Sequence, residues 1–148
     1  MSGIEIAGLA LGAFPLILEV LKGLISGVDG YCHFRNIRHQ LSLWIHRVEA
    51  QSVRFKRNFE LLLLRSNIEE YGPRLAALID NPDLKDDLWQ KSENDWLLKC
   101  YLEGSYDVYV EGVNKLRVSL ATVQKKLRIQ DRVSIDKVCP QNKFLVSD

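Results

Sequence analysis

Apolar residues recur every three or four positions through two long stretches of the chain. In the first stretch they are Phe34, Ile37, Leu41, Trp44, Val48, Phe55, Phe59 and Leu62. In the second they are Tyr109, Val113, Leu116, Leu120, Val123 and Leu127. One face of an α-helix repeats every 3.6 residues and one face of a strand every two, and no stretch here alternates with period two for long. The spacing therefore predicts an all-α fold with two long helices.

Prolines between these stretches predict shorter helices. Pro73 is expected to open a helix over Arg74–Ile79, and Pro82 is expected to open another over Leu84–Gln90, because proline suits the first turn of a helix. Ser92 is a candidate N-cap for a third helix that begins one residue later.

The length of 148 residues bounds the domain organisation. A chain of this size with 47% hydrophobic residues can bury one core without disulfides or metals. We therefore expect an antiparallel bundle of four or five helices over residues 1–128, in which Gly104 interrupts or bends the segment before the last helix. Residues 129–148, which include Pro140, are left unassigned as a tail.

The N-terminal segment Ile4–Ile25 is strongly apolar. Thirteen consecutive uncharged positions separate Glu5 from Glu19, fewer than the roughly 18 apolar residues that span a bilayer. An ordinary transmembrane helix is therefore not expected. The first base is Lys22, so the basic start of a secretory signal is missing. A cytoplasmic location is expected, and three cysteines, an odd number, agree with free thiols in a reducing compartment: Cys32, Cys100 and Cys139.

Drawn as a helix, this segment has a narrow face of glycines and charges and a broad apolar face. The narrow face contains Gly8, Gly12, Gly23, Gly27, Glu5, Glu19 and Lys22. The apolar face contains Ile6, Phe14, Ile17, Leu18, Leu21, Leu24 and Ile25.

Each glycine inside a helix costs about 1 kcal/mol and a proline about 3 kcal/mol, so the glycines and Pro15 weaken this helix. Two interpretations stay open. The segment is either a core helix, kinked at Pro15, whose glycines allow close packing, or a weakly held helix that can leave the bundle and enter a membrane. On the second interpretation Gly8→Ala with Gly12→Ala raises thermal stability, provided neither glycine has positive φ or touches a neighbouring backbone.

The first residues, Met1-Ser-Gly-Ile-Glu-Ile-Ala-Gly-Leu-Ala-Leu-Gly-Ala-Phe-Pro-Leu-Ile, resemble the N-terminal helical domains of the fungal HeLo and HeLo-like group, known as prion-inhibition and propagation domains. The stretches Phe59-Glu-Leu-Leu-Leu and Ser105-Tyr-Asp-Val-Tyr-Val-Glu-Gly-Val-Asn-Lys-Leu also resemble that group. The resemblance implies a non-enzymatic cell-death or heterokaryon-incompatibility effector that oligomerises and moves from the cytoplasm to a membrane. It implies that the membrane-entering residues are Ile4, Ile6, Phe14, Ile17, Leu18 and Leu21. The polar face would be Glu5, Gly8, Gly12 and Glu19.

The formal net charge of +1 hides a strong segregation along the chain. Residues 31–58 carry six bases and one acid, residues 59–111 carry twelve acids and five bases, and residues 112–148 carry eight bases and three acids. Oppositely charged helix faces could lie side by side and neutralise each other, or the two basic stretches could form one patch for anionic lipid or phosphate. The bases of the first stretch are Arg35, Arg38, Arg47, Arg54, Lys56 and Arg57.

No catalytic or cofactor motif is present in the sequence. Cys32, His39 and His46 are seven residues apart, which is about 10.5 Å of helix for each step, so they cannot ligate one metal ion. We therefore expect no enzyme, cofactor, metal site or small-molecule substrate. Two functions remain: a membrane effector, and an adaptor that binds a protein partner or itself through charged faces. Nucleic-acid binding is least favoured because no recognised nucleic-acid-binding motif accompanies the bases.

Overall fold

The computed structural model describes residues 1–28, 35–68 and 71–137. These ranges contain six α-helices, one 3-10 turn at Glu103–Ser105 and no strand. The helices are α1 (Gly3–Val28), α2 (Arg35–Arg65), α3 (Gly72–Asp80), α4 (Asp87–Gln90), α5 (Ser92–Leu102) and α6 (Tyr106–Lys137). The predicted all-α bundle is confirmed, with five helices of at least nine residues and the single-turn α4. Cys32, Phe34, Cys139 and the tail after residue 137 lie outside the described residues.

Two of the predicted short helices differ from the structure at their start. The helix expected over Leu84–Gln90 is only the four-residue α4, because the Asp86 carboxylate accepts the N–H of Leu88 at 3.0 Å and caps the helix there. Ser92 does not act as the N-cap of α5. The helix begins at Ser92 itself, and the residue before it, Lys91, is in extended conformation without a side-chain cap.

The predicted change of direction at Gly104 is present as the 3-10 turn between α5 and α6. Its first residue, Glu103, has φ 47°, in the left-handed region that L-residues other than asparagine and aspartate seldom adopt. After this turn α6 is continuous to Lys137. It therefore includes residues 129–137, which the sequence analysis left unassigned.

α1 lies against both long helices, and they run in opposite directions along it. α2 is antiparallel to α1, since Phe14 meets Phe55 at 6.2 Å between ring centroids and Lys22 Nζ lies 3.2 Å from Glu49 Oε1. The three short helices return the chain to the first turn of α1, where the N–H of Gly3 lies 3.3 Å from the Tyr106 hydroxyl. From there α6 runs parallel to α1, so that its later apolar residues reach the C-terminal half of α1: Leu120 and Leu127.

The hydrophobic core has a large part and a small part, and α1 contributes to both. The large cluster surrounds the N-terminal half of α1 and contains Ile4, Ile6, Ala7, Leu11, Phe59, Leu63, Ile68, Tyr71, Leu75, Ile79, Leu88, Trp89, Leu98 and Val113. The small cluster beside the C-terminal half contains Ile17, Leu21 and Ile45. Among the residues whose side chains the structure describes, α1 therefore packs on more buried neighbours in its N-terminal half than in its C-terminal half.

The glycines of α1 have two different environments. A Cβ atom at Gly8 would lie 2.7 Å from Cε3 of Trp89, which is 1% exposed and stacks on Phe59 at 6.0 Å. A Cβ atom at Gly12, Gly23 or Gly27 would meet nothing within 4 Å. Gly8 is thus a buried close-packing residue and does not belong to an exposed polar face. Of the two glycines in the predicted double substitution, only Gly12 has open space for the methyl group of alanine.

We therefore predict opposite effects for the two single substitutions. Gly12→Ala should raise the free energy of unfolding by up to about 1 kcal/mol, because alanine has the higher helix propensity. Gly8→Ala should lower it, because the buried ring of Trp89 must shift to admit the methyl group. Denaturant unfolding of the two variants measures both signs, and stabilisation by Gly8→Ala would contradict the packing described here.

Candidate functional site

The first turn of α1 closes on itself through a reciprocal pair of hydrogen bonds. The N–H of Glu5 donates to Ser2 Oγ at 3.1 Å, and the N–H of Ser2 donates to Glu5 Oε2 at 3.4 Å. This arrangement is a capping box, and its signature, serine followed three residues later by glutamate, is readable in the sequence. Glu5 is half-buried, and its role in the bundle is to cap α1. The sequence analysis placed it on the polar face and missed the cap.

A second cap reaches α1 from a distant part of the chain. Oδ1 of Asp95, in α5, accepts the N–H of Gly3 at 2.9 Å and the N–H of Ile4 at 3.4 Å. The hydroxyl of Tyr106, in α6, donates to the same carboxylate, 2.7 Å from Oδ2 and 2.8 Å from Oδ1. A carboxylate also interacts favourably with the positive end of the helix dipole. Asp95 therefore holds α1, α5 and α6 together at one point, and we call Gly3, Asp95 and Tyr106 the N-terminal anchor.

The anchor requires a residue without a side chain at Gly3. A Cβ atom there would lie 3.1 Å from Cγ2 of Val110 and 3.2 Å from both the Tyr106 hydroxyl and Cε1 of Tyr109. These distances are tighter than ordinary van der Waals contact, so α6 approaches the backbone of α1 closely here. The start of α1 is consequently fixed by close packing as well as by hydrogen bonds.

Tyr106 keeps its proton throughout the physiological range. Burial, followed by the hydrogen bond to Asp95, raises the pKa of Tyr106 to about 12 from its ordinary value of 10. Burial raises the pKa of the neighbouring Tyr109 as well. The Tyr106 hydroxyl is therefore a permanent donor to Asp95 at neutral pH.

The residues predicted to enter a membrane form the core face of α1. Ile4, Ile6, Phe14, Ile17 and Leu21 are buried and Leu18 is half-buried. In this conformation the apolar face is covered by the bundle, and it can meet lipid only if α1 separates from α2 and α6.

The opposite side of α1 becomes open towards its C-terminal half. Leu16 is 43% exposed, and Pro15, Glu19, Gly23 and Gly27 are also exposed. Glu19 reaches solvent, as expected for a helix that packs in a soluble core. The structure does not bring the four predicted polar-face residues together on one surface, because Gly8 is buried and Glu5 is in the cap.

By length and composition alone, α1 could cross a membrane. The segment Gly3–Gly27 has a mean hydropathy of 2.0, and half of its most apolar window is buried inside the bundle. It was expected to be too short because Glu5 and Glu19 interrupt the uncharged run, but a window with up to two charges meets the length requirement. Core helices of soluble proteins and N-terminal signal sequences have the same properties.

The directions of the helices place the two basic stretches at the same end of the bundle. The N-terminal half of α2 and the C-terminal half of α6 both lie beside the C-terminal half of α1, and we call this region the basic end. Arg38 and Arg47 are exposed there, whereas the side chain of Arg35 is outside the described residues. Arg54 and Arg57 are exposed farther along α2, at the level where Phe55 meets Phe14. Lys56 differs from them, because its Nζ lies 3.2 Å from Asp80 Oδ1 in α3. The residues of the predicted patch thus share one helix, but Lys56 turns towards the acidic part of the molecule.

The most acidic part of the chain lies at the other end, around the N-terminal anchor. Residues 80–111 carry nine acids and three bases and form α4, α5 and the start of α6. We call this region the acidic end. The helix directions bring the two basic stretches to the same half of α1, and Lys56 also pairs with Asp80 of the acidic stretch.

The anchor predicts a specific dependence of stability on alkaline pH. A raised pKa in the folded state stabilises the fold fully below the unfolded value of 10, and this stabilisation is lost as pH rises through about 12. Tyr106→Phe removes the hydrogen bond to Asp95 and should cost roughly 1 kcal/mol at neutral pH. Denaturant unfolding between neutral pH and pH 12 should show the difference between the wild type and Tyr106→Phe shrinking above pH 10. A constant difference would show that the hydroxyl proton plays no part in the anchor.

Comparison of the chain with models of known protein families, with curated proteins and with solved structures finds no match. The resemblance of the first residues to the fungal HeLo-like group therefore stays a prediction from the sequence. The candidate site is an apolar helix held by a polar anchor at its beginning and by a small core cluster beside its C-terminal half.

Proposed function

We propose that this chain is a non-enzymatic effector or signalling domain of the fungal cell-death or heterokaryon-incompatibility type. In this proposal the closed bundle is the resting cytoplasmic form. Activation separates α1 from the bundle, and α1 then enters an anionic membrane as part of an oligomer. The resemblance of the N-terminal sequence to the HeLo-like group supports the biological setting.

The observation that carries the proposal is the uneven attachment of α1. A helix of 26 residues is about 39 Å long, which is enough to cross the roughly 30 Å hydrocarbon core of a bilayer. Among the described residues, its buried polar attachment is the anchor at Gly3, Asp95 and Tyr106, whereas its C-terminal half has the exposed ion pair of Lys22 with Glu49, packs on a small cluster and exposes Leu16. Such a helix can separate from its exposed end towards its anchored end.

The energetics of release favour a membrane as the destination. The apolar face of α1 contributes six buried hydrophobic residues besides its two buried alanines: Ile4, Ile6, Leu11, Phe14, Ile17 and Leu21. Exposing this face to water would cost about 25 cal/mol for each Å² of apolar surface. Lipid is as apolar as the core, so transfer of the same face into a bilayer avoids most of that cost. The separation of α1 from the bundle into water, without a membrane, is therefore strongly unfavourable in free energy.

Insertion of α1 into a bilayer would require a polar environment for the carboxylate of Glu19. A carboxylate inside a bilayer is costly unless it faces a polar interior or a partner. An inserted α1 should therefore associate with further copies, with Glu19 towards the interior of the oligomer. The open space around Gly12 and Gly23, on the same side of the helix, permits close approach of such copies.

A second candidate function is an adaptor that binds a protein partner while the bundle stays closed. The observation that favours it is the separation of charge into a basic end and an acidic end. Both ends are built on helices that need no rearrangement to present them. Adaptor binding requires no exit of α1, and this distinguishes the two functions.

The first test weakens the anchor. Asp95→Ala removes the cap of Gly3 and Ile4 and should lower the free energy of unfolding by about 1–3 kcal/mol. Under the effector proposal it should also increase dye release from vesicles that contain an anionic phospholipid. The control is Ile79→Val, which removes one buried methylene group from α3 and costs about 1 kcal/mol but leaves the hydrogen bonds to the first turn of α1 intact. Equal dye release by the two variants would contradict a specific role of the anchor.

The second test removes the acid that the inserted form requires. Glu19 is exposed in the bundle, so Glu19→Ala should change the free energy of unfolding by no more than about 1 kcal/mol. Vesicle leakage and toxicity should nevertheless be abolished, because the oligomer would lose its polar interior. A thermal melt and a leakage assay on this variant separate the cases. Unchanged leakage would remove Glu19 from the site, and a collapsed fold would show that its role is structural.

A further inference from the structure

Two of the three tryptophans are on the surface. Trp44 is 58% exposed and Trp96 is 61% exposed, whereas Trp89 is 1% exposed in the core. Tryptophan is highly buried on average, and exposed tryptophans are enriched among the residues that dominate protein interfaces. Each of the two exposed rings lies in a region of one charge sign, and the signs are opposite.

Trp44 belongs to the basic end. It lies on α2, and the guanidinium of Arg47 lies over its ring, 6.0 Å from the ring centroid. Ile37, two helical turns before it, is 46% exposed, and the adjacent Leu43 is 44% exposed. An apolar surface with an aromatic ring at its centre is thus surrounded by a strong positive charge. Residues 35–50 and 122–137, the two helix halves of the basic end, together carry eight bases and three acids.

Trp96 belongs to the acidic end. It lies on α5, one turn after Glu93 on the same helix face, and Glu93 Oε2 lies 3.6 Å from Lys91 Nζ. Glu103 follows the last residue of α5, at the start of the 3-10 turn. Tyr101, five residues farther along this helix, is 45% exposed as well. The nearest base along the chain, Lys99, is directed towards another ring, with its Nζ 5.7 Å from the centroid of Tyr106. The surroundings of Trp96 are therefore aromatic and negative.

The two ends are too far apart to neutralise each other within one molecule. Trp96 lies beside Asp95, which caps the first turn of α1, whereas Trp44 lies one residue from Ile45, which packs near the last turns of α1. About 20 residues of α1 separate these levels, which is about 30 Å. The Debye length is about 8 Å at physiological ionic strength. Each end therefore presents a charge that the other end does not compensate.

We infer that the basic end around Trp44 docks on the acidic end around Trp96 of a second copy of this chain. A second copy is the expected partner because the two ends have opposite charge. Each end also carries an exposed tryptophan ring. An anionic membrane would account for the basic end but would leave the acidic surface around Trp96 unexplained. The contact uses the closed bundle, so it does not depend on whether α1 enters a membrane.

The test is sedimentation velocity of the full chain over a range of concentrations, in low salt and in about 1 M salt. The wild type should self-associate in low salt and dissociate in high salt, where the Debye length falls to about 3 Å. Arg47→Glu and Glu103→Lys should each weaken self-association about tenfold or more. Both residues are exposed, and a thermal melt confirms that each variant is folded.

A mixture of the two variants makes the test specific. Arg47→Glu retains an intact acidic end and Glu103→Lys retains an intact basic end, so a mixture should form a 1:1 complex more tightly than either variant associates with itself. The matched control is Arg65→Glu, the same charge change on the same helix but near the acidic end, where Arg65 is exposed. This control should associate at least as tightly as the wild type.

Several results would overturn the inference. They are a wild type that stays monomeric in low salt, a mixture that associates no better than its components, or weakening by Arg65→Glu equal to that by Arg47→Glu. Self-association that is unchanged in Trp44→Ala and Trp96→Ala would also overturn it, because each is expected to weaken the contact at least tenfold. A monomer whose basic end binds anionic vesicles in a Trp44-dependent way would assign this surface to lipid instead.

Discussion

The apolar face of α1 is the constraint on which the rest of the bundle depends. Both core clusters contain residues of α1, and both long helices pack along it. α2 runs back along α1, so the chain leaves α2 beside the first turn of α1. The short helices α3, α4 and α5 stay in that region and start α6 there. α6 therefore has to run parallel to α1, and this direction determines which charges share an end.

The same helix contains residues that oppose helix formation. Pro15 and the glycines at positions 12, 23 and 27 lower its intrinsic stability, and the structure gives these three glycines no packing partner. Gly3 and Gly8 are different, because α6 and Trp89 occupy the space beside them. The glycines that support packing are thus all in the first third of α1. Beyond them, intrinsic propensity and packing are both weak, and this is the part of α1 from which opening would begin.

Periodicity in the sequence was sufficient to predict both long helices and the all-α class, because a buried helix face leaves a regular pattern. The capping box of Ser2 and Glu5 also has a local signature, because the two residues are three positions apart in the sequence. Asp95 was not recognisable as a cap for α1, because the residue that it caps lies 92 positions earlier in the chain. Gly8 likewise looked like Gly12 in the sequence, since Trp89 meets only one of them in the folded state.

The positions of the charged residues along the chain are read directly from the sequence. Which of them share one end of the bundle depends on the direction of α6. Had α6 run antiparallel to α1, its basic second half would have reached the acidic helices and neutralised them. The short helices α3, α4 and α5 prevent this, because they stay beside the first turn of α1 and α6 therefore begins there. The result is a molecule whose firmly packed end is acidic and whose loosely packed end is basic.

This polarity connects the proposed function with the proposed contact between copies. An anionic surface that approaches the basic end meets the weakly packed half of α1 first, about 30 Å from the anchor. A second copy docked through its acidic end covers the same basic surface. Membrane and second copy would therefore compete for one site, so self-association of the closed form would oppose premature contact with a membrane. In this scheme a membrane must first displace the docked copy from the basic end. Only then can α1 separate from the bundle, starting at its exposed C-terminal half and ending at the anchor around Asp95.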